Sequence, residues 1–216
     1  MESPAYRILT ERLVLRCWQP ADAPRLKDAI DSSSEHLRRW MPWAHDDPRP
    51  LGATIDLLAG FRARFDLGED YAYGVFDAGE VRVLGGGGLH RRVGDGALEI
   101  GYWLRADAIG RGYAGEIAAA LARTAFEIAH VDRVEIRVDP TNERSLRIPR
   151  RLGFVEEATL RRRLPPIAPG GEPRDVVVFS MFADAFRDSP VAMAVLDAFD
   201  ALGPVCAVPL AEGLPK

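Results

Sequence analysis

The chain of 216 residues is long enough for one substantial core, and its 47% hydrophobic and 28% charged residues are typical of a soluble globular protein. Its 28 basic and 32 acidic residues leave a formal net charge of −4, without the broad positive field that a nucleic-acid-binding protein needs. No window has the apolar length of a membrane span, and residues 1–15 lack the apolar core of a signal peptide, so we expect a cytoplasmic protein.

The first part of the chain predicts one strand followed by helices. Residues 12–18 alternate roughly between polar and apolar side chains, as a half-buried strand does. Asp22 can cap the helix that follows, and residues 34–43 form a short amphipathic segment rich in aromatic side chains. Apolar side chains recur at helical spacing in residues 53–67, which predicts a second helix that ends before Gly68.

The middle of the chain predicts a meander of strands. Residues 71–76, 81–90 and 97–104 read as successive strands, and the short turns between them favour antiparallel pairing. Strands and helices then alternate, with helices at 114–128 and 142–152 and strands at 133–139, 154–160 and 176–181.

These elements predict an α/β (α+β) fold with a mixed, mostly antiparallel sheet of about six or seven strands and helices on both faces. We expect one domain in residues 1–189. Residues 190–216 are expected to form a C-terminal tail whose apolar spacing predicts a small amphipathic helix within 190–202.

Glycines precede the predicted helix at 114–128. Gly110, Gly112 and Gly115 match the dinucleotide-binding pattern G-x-G-x-x-G, but that pattern should directly follow a strand inside a parallel strand–helix–strand unit. Here the polar stretch 105–109 intervenes. Glycines at this position expose backbone N–H groups at a helix N-terminus, where an anion such as a diphosphate binds favourably. The alternative is that they only form a tight turn.

Metal chemistry has little support in the sequence. The two cysteines, Cys17 and Cys206, lie far apart, and the four histidines show no ligand spacing. We therefore expect no metal site and a reducing compartment.

Three ordered segments carry a resemblance to a known family. Residues 98–104, the loop 110–114, and residues 142–154 with Asn142, Ser145 and the Gly153-Phe154 pair resemble the GNAT superfamily of N-acetyltransferases, in its RimJ/RimL-like branch. The resemblance covers about residues 10–182. It implies an enzyme that transfers acetyl from acetyl-CoA to a primary amine, at a protein N-terminus or on a small molecule, by direct attack in a ternary complex. It leaves open a homodimer.

The resemblance also implies where acetyl-CoA binds. It would lie between two splayed parallel strands, 97–104 and 133–139. Ile109 replaces the polar residue usual at the start of the superfamily's loop, so phosphate binding would depend on backbone N–H groups. The implied cofactor-binding residues are Arg111, Gly112, Tyr113 and Ala114 for the diphosphate, Asn142 for the pantetheine arm, and Trp103 and Leu104 near a strand bulge that offers an oxyanion N–H. Asn142 can also act as a helix N-cap.

Two residues are candidates for proton transfer. Glu99 is the predicted general base, because a carboxylate beside an apolar strand is suited to accept an ammonium proton, directly or through water. Alternatively, Glu99 faces outward or pairs with an arginine. Ser145 matches the branch's serine that protonates the departing thiolate, or it only bonds helix backbone. The branch's further glutamate has no counterpart in residues 161–164, which weakens direct transfer of a ribosomal substrate.

The acceptor side is the least defined part of the prediction. Trp40 and Trp43, with Tyr102, are the expected substrate-binding residues, although both tryptophans could instead cover the core. Tyr73 and the loop 165–173 are weaker candidates. Two alternative functions stay open: a non-catalytic acyl-CoA-binding or sensor module, and a Rossmann-like oxidoreductase that depends on the glycine pattern alone.

Overall fold

The computed structural model describes residues 4–207, with side chains described as far as residue 204. The strands are β1 (Arg7–Leu9), β2 (Leu13–Cys17), β3 (Asp70–Asp77), β4 (Val83–His90), β5 (Ala97–Leu104), β6 (Arg133–Val138), β7 (Val155–Leu164), β8 (Arg174–Phe182), β9 (Asp197–Phe199) and β10 (Pro204–Ala207). The α-helices are α1 (Ala23–Asp31), α2 (Ser34–Arg38), α3 (Leu51–Asp66), α4 (Tyr113–Glu127), α5 (Glu143–Leu152) and α6 (Ala183–Phe186). Short 3-10 helices lie at Pro20–Asp22, Pro42–Asp46 and Ala106–Ala108.

The strands form one sheet in the order β10-β9-β1-β2-β3-β4-β5-β6-β8-β7. Every neighbouring pair is antiparallel except β5 and β6, which the crossover helix α4 joins in parallel. The mixed, mostly antiparallel α/β fold predicted from the sequence is confirmed. None of the helices in residues 4–207 is long and apolar enough to cross a membrane.

Two hydrophobic cores hold the helices against the sheet. The larger core joins α4 to the central strands, and the smaller one joins α1 and α3 to β2 and β3. Glycines in β4 permit close packing on the α4 side, because a Cβ on Gly87 would lie 3.1 Å from Leu121 and 3.2 Å from Ile117. Gly87 therefore lets α4 approach the sheet opposite Tyr102, just beyond the last residue of β5 that pairs with β6.

The parallel pair separates along its length. Its pairing runs from Ala97 opposite Arg133 to Ile100 opposite Ile136. Beyond Ile100, residues 101–104 of β5 remain paired with β4 on the other side, as far as Gly85 opposite Leu104. The splay expected from the family resemblance is therefore present, and it opens a gap between the C-terminal ends of β5 and β6.

The sheet contains more strands than the sequence predicts, which is about six or seven. The short strands β1, β9 and β10 extend it beyond β2, and each has only three or four residues. Segments this short carry almost no alternation of polar and apolar side chains, so their pairing depends on partners distant in the sequence.

The helix predicted within residues 190–202 is wrong. This segment forms turns and then β9, which pairs with β1 from Leu9 opposite Asp197 to Arg7 opposite Phe199. Its apolar side chains still reach the larger core, where Val191 and Leu196 are buried. Backbone pairing with β1 has decided the conformation, and apolar spacing alone could not reveal it.

Leu196→Ala tests how firmly this segment is attached. Leu196 is 3% exposed and its neighbour Val195 is 60% exposed. We expect Leu196→Ala to lower the free energy of unfolding by about 2–4 kcal/mol, because it removes a buried side chain and leaves a cavity. Val195→Ala is the matched control and should cost less than about 0.5 kcal/mol. Urea unfolding of both variants measures the difference, and equal small losses would contradict the packing.

Candidate active site

The loop before α4 presents free backbone amides. Gly110 and Gly112 have φ values of +77° and +83°, in the left-handed region that glycine adopts without strain. Gly112 is the N-cap of α4, and no side chain caps this helix. Within the described residues, no hydrogen bond occupies the N–H groups of residues 113–115. The amides and the helix dipole together form a site suited to an anion.

Arg12, just before β2, holds this loop in place. Its Nη1 donates to the Arg111 carbonyl oxygen at 2.9 Å, and its Nε donates to Glu116 Oε2 at 2.8 Å. The guanidinium also lies 4.8 Å from the centre of the Tyr113 ring. Thr10 adds a hydrogen bond of 2.6 Å to Glu116 Oε1. The side chain of Arg111 is exposed and lies outside the adjoining cavity, so only its backbone takes part.

A cavity of about 910 Å³ adjoins these amides, and we call it the loop cavity. It is lined by Gly112, Tyr113 and Ala114 of the loop and by Trp103, Leu104 and Asn142, all predicted cofactor-binding residues. Arginines border it as well: Arg39, Arg144, Arg147 and Arg151. None of these arginines has a carboxylate partner within residues 4–207, so their charges are available to an anionic ligand.

His36 borders the same cavity without adding to its charge. Burial lowers the pKa of His36, and the nearby Arg144 and Arg39 lower it further. The ring is therefore neutral at pH 7, and the positive rim of the loop cavity is built from arginines alone.

A second cavity of about 820 Å³ lies against the opposite face of β4 and β5, and we call it the sheet cavity. Its walls include the predicted substrate-binding residues Trp40, Trp43 and Tyr102. Trp43 meets Trp103 edge-to-face, with ring centroids 5.6 Å apart. The predicted acceptor residues therefore line one aromatic cavity, and Trp40 also borders the loop cavity. Of the weaker acceptor candidates, Tyr73 also borders the sheet cavity, although its side chain is fully buried.

The two cavities meet at the gap between β5 and β6. Tyr102, Trp103, Asn142 and Ser145 border both of them. The hydroxyls of Tyr102 and Ser145 are hydrogen-bonded at 2.8 Å, and Asn142 Oδ1 caps α5 by accepting from the Ser145 N–H at 3.2 Å. Burial raises the pKa of Tyr102 to about 12, although the Ser145 hydrogen bond opposes the rise. The junction thus contains a hydroxyl pair that stays protonated near neutral pH.

Glu99 adopts the arginine-paired alternative. It is 7% exposed, and both of its carboxylate oxygens accept from Arg92, at 3.0 and 2.6 Å. Arg137 Nε lies 3.8 Å from Glu99 Oε2. Glu99 borders the sheet cavity, but an incoming amine would have to displace an ion pair to reach it.

The strand bulge expected near Trp103 and Leu104 is wrong. The pairing of β4 with β5 is continuous from Glu99 to Leu104. The irregularity lies one strand away, where Leu84 of β4 is left out of the pairing with β3 and its carbonyl accepts from Arg105 N–H at 2.9 Å. The backbone groups in the gap come instead from the separation of β5 and β6.

Two features of the site were missed from the sequence. Arg144, Arg147 and Arg151 recur at helical spacing along α5, a signal that could have indicated a basic face toward the loop cavity. The contact of Tyr102 with Ser145 joins residues 43 positions apart, and no local pattern announces it.

Comparison with known proteins settles the family. The sequence model of the acetyltransferase (GNAT) domain matches residues 12–155, about two thirds of the chain. The chain belongs to the GNAT family. It is an acyltransferase, similar to the [ribosomal protein uS5]-alanine N-acetyltransferase of Escherichia coli strain K12, with 28% identity over 159 residues that cover 71% of this chain and 80% of that protein.

Solved GNAT structures share the fold. RimL, the ribosomal L7/L12 α-N-protein acetyltransferase in complex with coenzyme A, superposes with a TM-score of 0.71 at 20% identity, covering 86% of this chain and 99% of that one. The microcin C7 self-immunity acetyltransferase MccE, in complex with acetyl-CoA and AMP, gives a TM-score of 0.72 at 16% identity, covering 80% and 93%. At these identities the likeness concerns the fold alone.

The arginine rim can be tested with coenzyme A as a phosphorylated probe. We expect Arg147→Ala to raise the dissociation constant about 5- to 20-fold, because it removes a charged hydrogen-bond donor from the loop cavity. Arg150→Ala is the matched control on the same helix, since Arg150 pairs with Glu156 and lies outside the cavity. Calorimetry at low and high salt measures the dissociation constant of coenzyme A for both variants. Equal affinities would contradict a role of Arg147 in binding the phosphates.

Proposed function

We propose that this enzyme transfers the acetyl group of acetyl-CoA to a primary amine by direct attack in a ternary complex. The observation that carries the proposal is the meeting of two cavities at the gap between β5 and β6. One cavity has free amides and a basic rim, the other has aromatic walls, and Tyr102 and Ser145 stand between them. A thioester and an amine that enter from opposite sides would meet there.

The loop cavity fits acetyl-CoA by its donor set. Free amides at residues 113–115 suit a diphosphate, and the arginines of α5 suit a further phosphate. The side-chain oxygen of Asn142 accepts a hydrogen bond from the Ser145 N–H and so caps α5. Its side-chain N–H groups therefore remain available to bind a pantetheine carbonyl. When bound, acetyl-CoA would supply a thioester carbonyl carbon as the electrophile.

The residues at the junction supply the remaining chemistry. Tyr102 and Ser145 hold a proton beside the position of the departing sulfur, and the high pKa of Tyr102 keeps that proton available over the whole working pH range. Residues 101–104 have no partner strand on the β6 side, so backbone N–H groups near Trp103 and Leu104 can stabilise an oxyanion in the gap. For Glu99 we infer a role in shaping the sheet cavity through Arg92.

We infer that the acceptor amine is a protein N-terminus or a small molecule bound between the aromatic side chains of the sheet cavity. The names of the E. coli relative and of RimL favour a peptide N-terminus and a cytoplasmic location. The cavity walls, with Trp40 and Trp43, are suited to a side chain next to that amine.

Calorimetric titration with acetyl-CoA, followed by a thiol-release assay, tests the function. We expect binding with a one-to-one stoichiometry and release of coenzyme A with at least one pool of amines or N-terminal peptides. Binding without release from any pool would support the alternative of a non-catalytic acyl-CoA-binding module. Absence of binding would contradict the assignment of the loop cavity.

The hydroxyl pair gives a second test. We expect Tyr102→Phe and Ser145→Ala each to lower kcat about 10- to 100-fold, less than many general acids contribute, because a thiolate leaves readily. Because the pKa of Tyr102 is raised to about 12, neither loss should depend on pH between about 7 and 9. Tyr6→Phe removes a hydroxyl outside both cavities and should leave kcat unchanged. Full activity in both junction variants would show that solvent protonates the thiolate.

A further inference from the structure

A histidine–aspartate pair borders the sheet cavity, apart from the residues discussed so far. His90 ends β4, and its Nδ1 lies 2.6 Å from Oδ1 of Asp70, the first residue of β3. An ionised carboxylate only accepts hydrogen bonds, so a neutral His90 ring carries its proton on Nδ1 and keeps a lone pair on Nε2. Within the described residues, Nε2 has no hydrogen-bond partner.

Glycines place this nitrogen at the gap between β5 and β6. A Cβ on Gly88 would lie 2.5 Å from His90 Nε2, and a Cβ on Gly101 would lie 3.2 Å from it. The His90 ring therefore packs against the backbone of Gly88 and Gly101, where a Cβ on either residue would crowd it. Gly101 is the first residue of β5 beyond its last pairing with β6, and Tyr102 of the hydroxyl pair follows it.

Charged side chains line the same cavity from several elements. They are Asp70 of β3, Glu99 of β5, Arg92 after β4, Arg137 of β6, Asp139 after β6, Arg163 of β7, Arg174 of β8 and Arg49 before α3. Arg174 binds Asp139. Arg92 occupies both oxygens of Glu99, and Arg49 binds Asp47. Asp70 contacts the ring through Oδ1 at Nδ1, on the side away from Nε2. An amine can therefore approach the Nε2 lone pair without breaking an ion pair.

We propose that His90 is the general base of the acetyl transfer and that Asp70 is its positioning residue, an inference that rests on the proposed function. His90 Nε2 takes one proton from the acceptor ammonium and later passes it to solvent. The neutral amine forms the new C–N bond, the C–S bond breaks, and the second amine proton reaches the thiolate sulfur through the hydroxyls of Tyr102 and Ser145. Charge and protons balance without a further reactant.

The test measures steady-state thiol release from acetyl-CoA between about pH 7 and 9.5, with a peptide whose N-terminus is free and with the same peptide blocked there. We expect His90→Gln to lower kcat/KM for the free peptide about 100-fold or more at pH 7, because the site loses the acceptor of the ammonium proton. This loss should shrink above about pH 8, where a free α-amino group is already neutral in solution. Asp70→Asn should lower kcat about 10-fold with KM within about twofold of wild type, because the imidazole loses the carboxylate that orients its Nδ1–H.

The controls separate the base from the fold and from the function. His130→Asn changes a histidine on the turn after α4, at φ +51° and outside both cavities, and should keep the wild-type rate. Acetyl-CoA affinity within about twofold of wild type shows that each variant is folded. A wild-type rate in His90→Gln, or the same pH-dependent loss of rate in Glu99→Gln instead, would overturn the assignment of the base alone. A wild-type enzyme inactive with every amine would overturn the transfer function and this inference with it.

Discussion

The end of the parallel pairing between β5 and β6 is the constraint on which the site depends. β5 keeps its hydrogen bonds to β4 while its other edge loses β6 beyond Ile100. A sheet interrupted in this way connects its two faces, because no backbone closes the space between the strands. The loop cavity and the sheet cavity both reach that opening, because Tyr102, Trp103, Asn142 and Ser145 border both of them.

The parts of the site that follow from local physics could be predicted from the sequence. The glycine loop before an apolar helix, and Asn142 ahead of α5, announce an anion site and an N-cap through residue type and spacing alone. The partners of Glu99 and Tyr102 could not be predicted in this way. Glu99 depends on Arg92 folding back from the turn after β4, and Tyr102 depends on how α5 docks beside the sheet.

Conformation at the sheet edge was harder to predict than burial. Val191 and Leu196 are buried as their apolar character suggests, yet the segment around them is not helical. The three residues of β9 form a strand because they pair with β1, which is separated from β9 in sequence by almost the whole chain. Propensity is a weak guide where the stabilising hydrogen bonds come from another segment.

Arg12 holds the loop before α4 in place, and this attachment has a consequence for how the protein folds. Arg12 and Glu116 are 104 residues apart, so their contact closes one of the longest loops of the chain. Contacts of this separation form after local structure, because the chain entropy must be overcome first. The loop therefore acquires its ligand-ready shape only when the N-terminal strands have joined the sheet. A ligand that binds there selects fully assembled molecules and stabilises them by mass action, so that cofactor supply and the lifetime of the folded enzyme become linked.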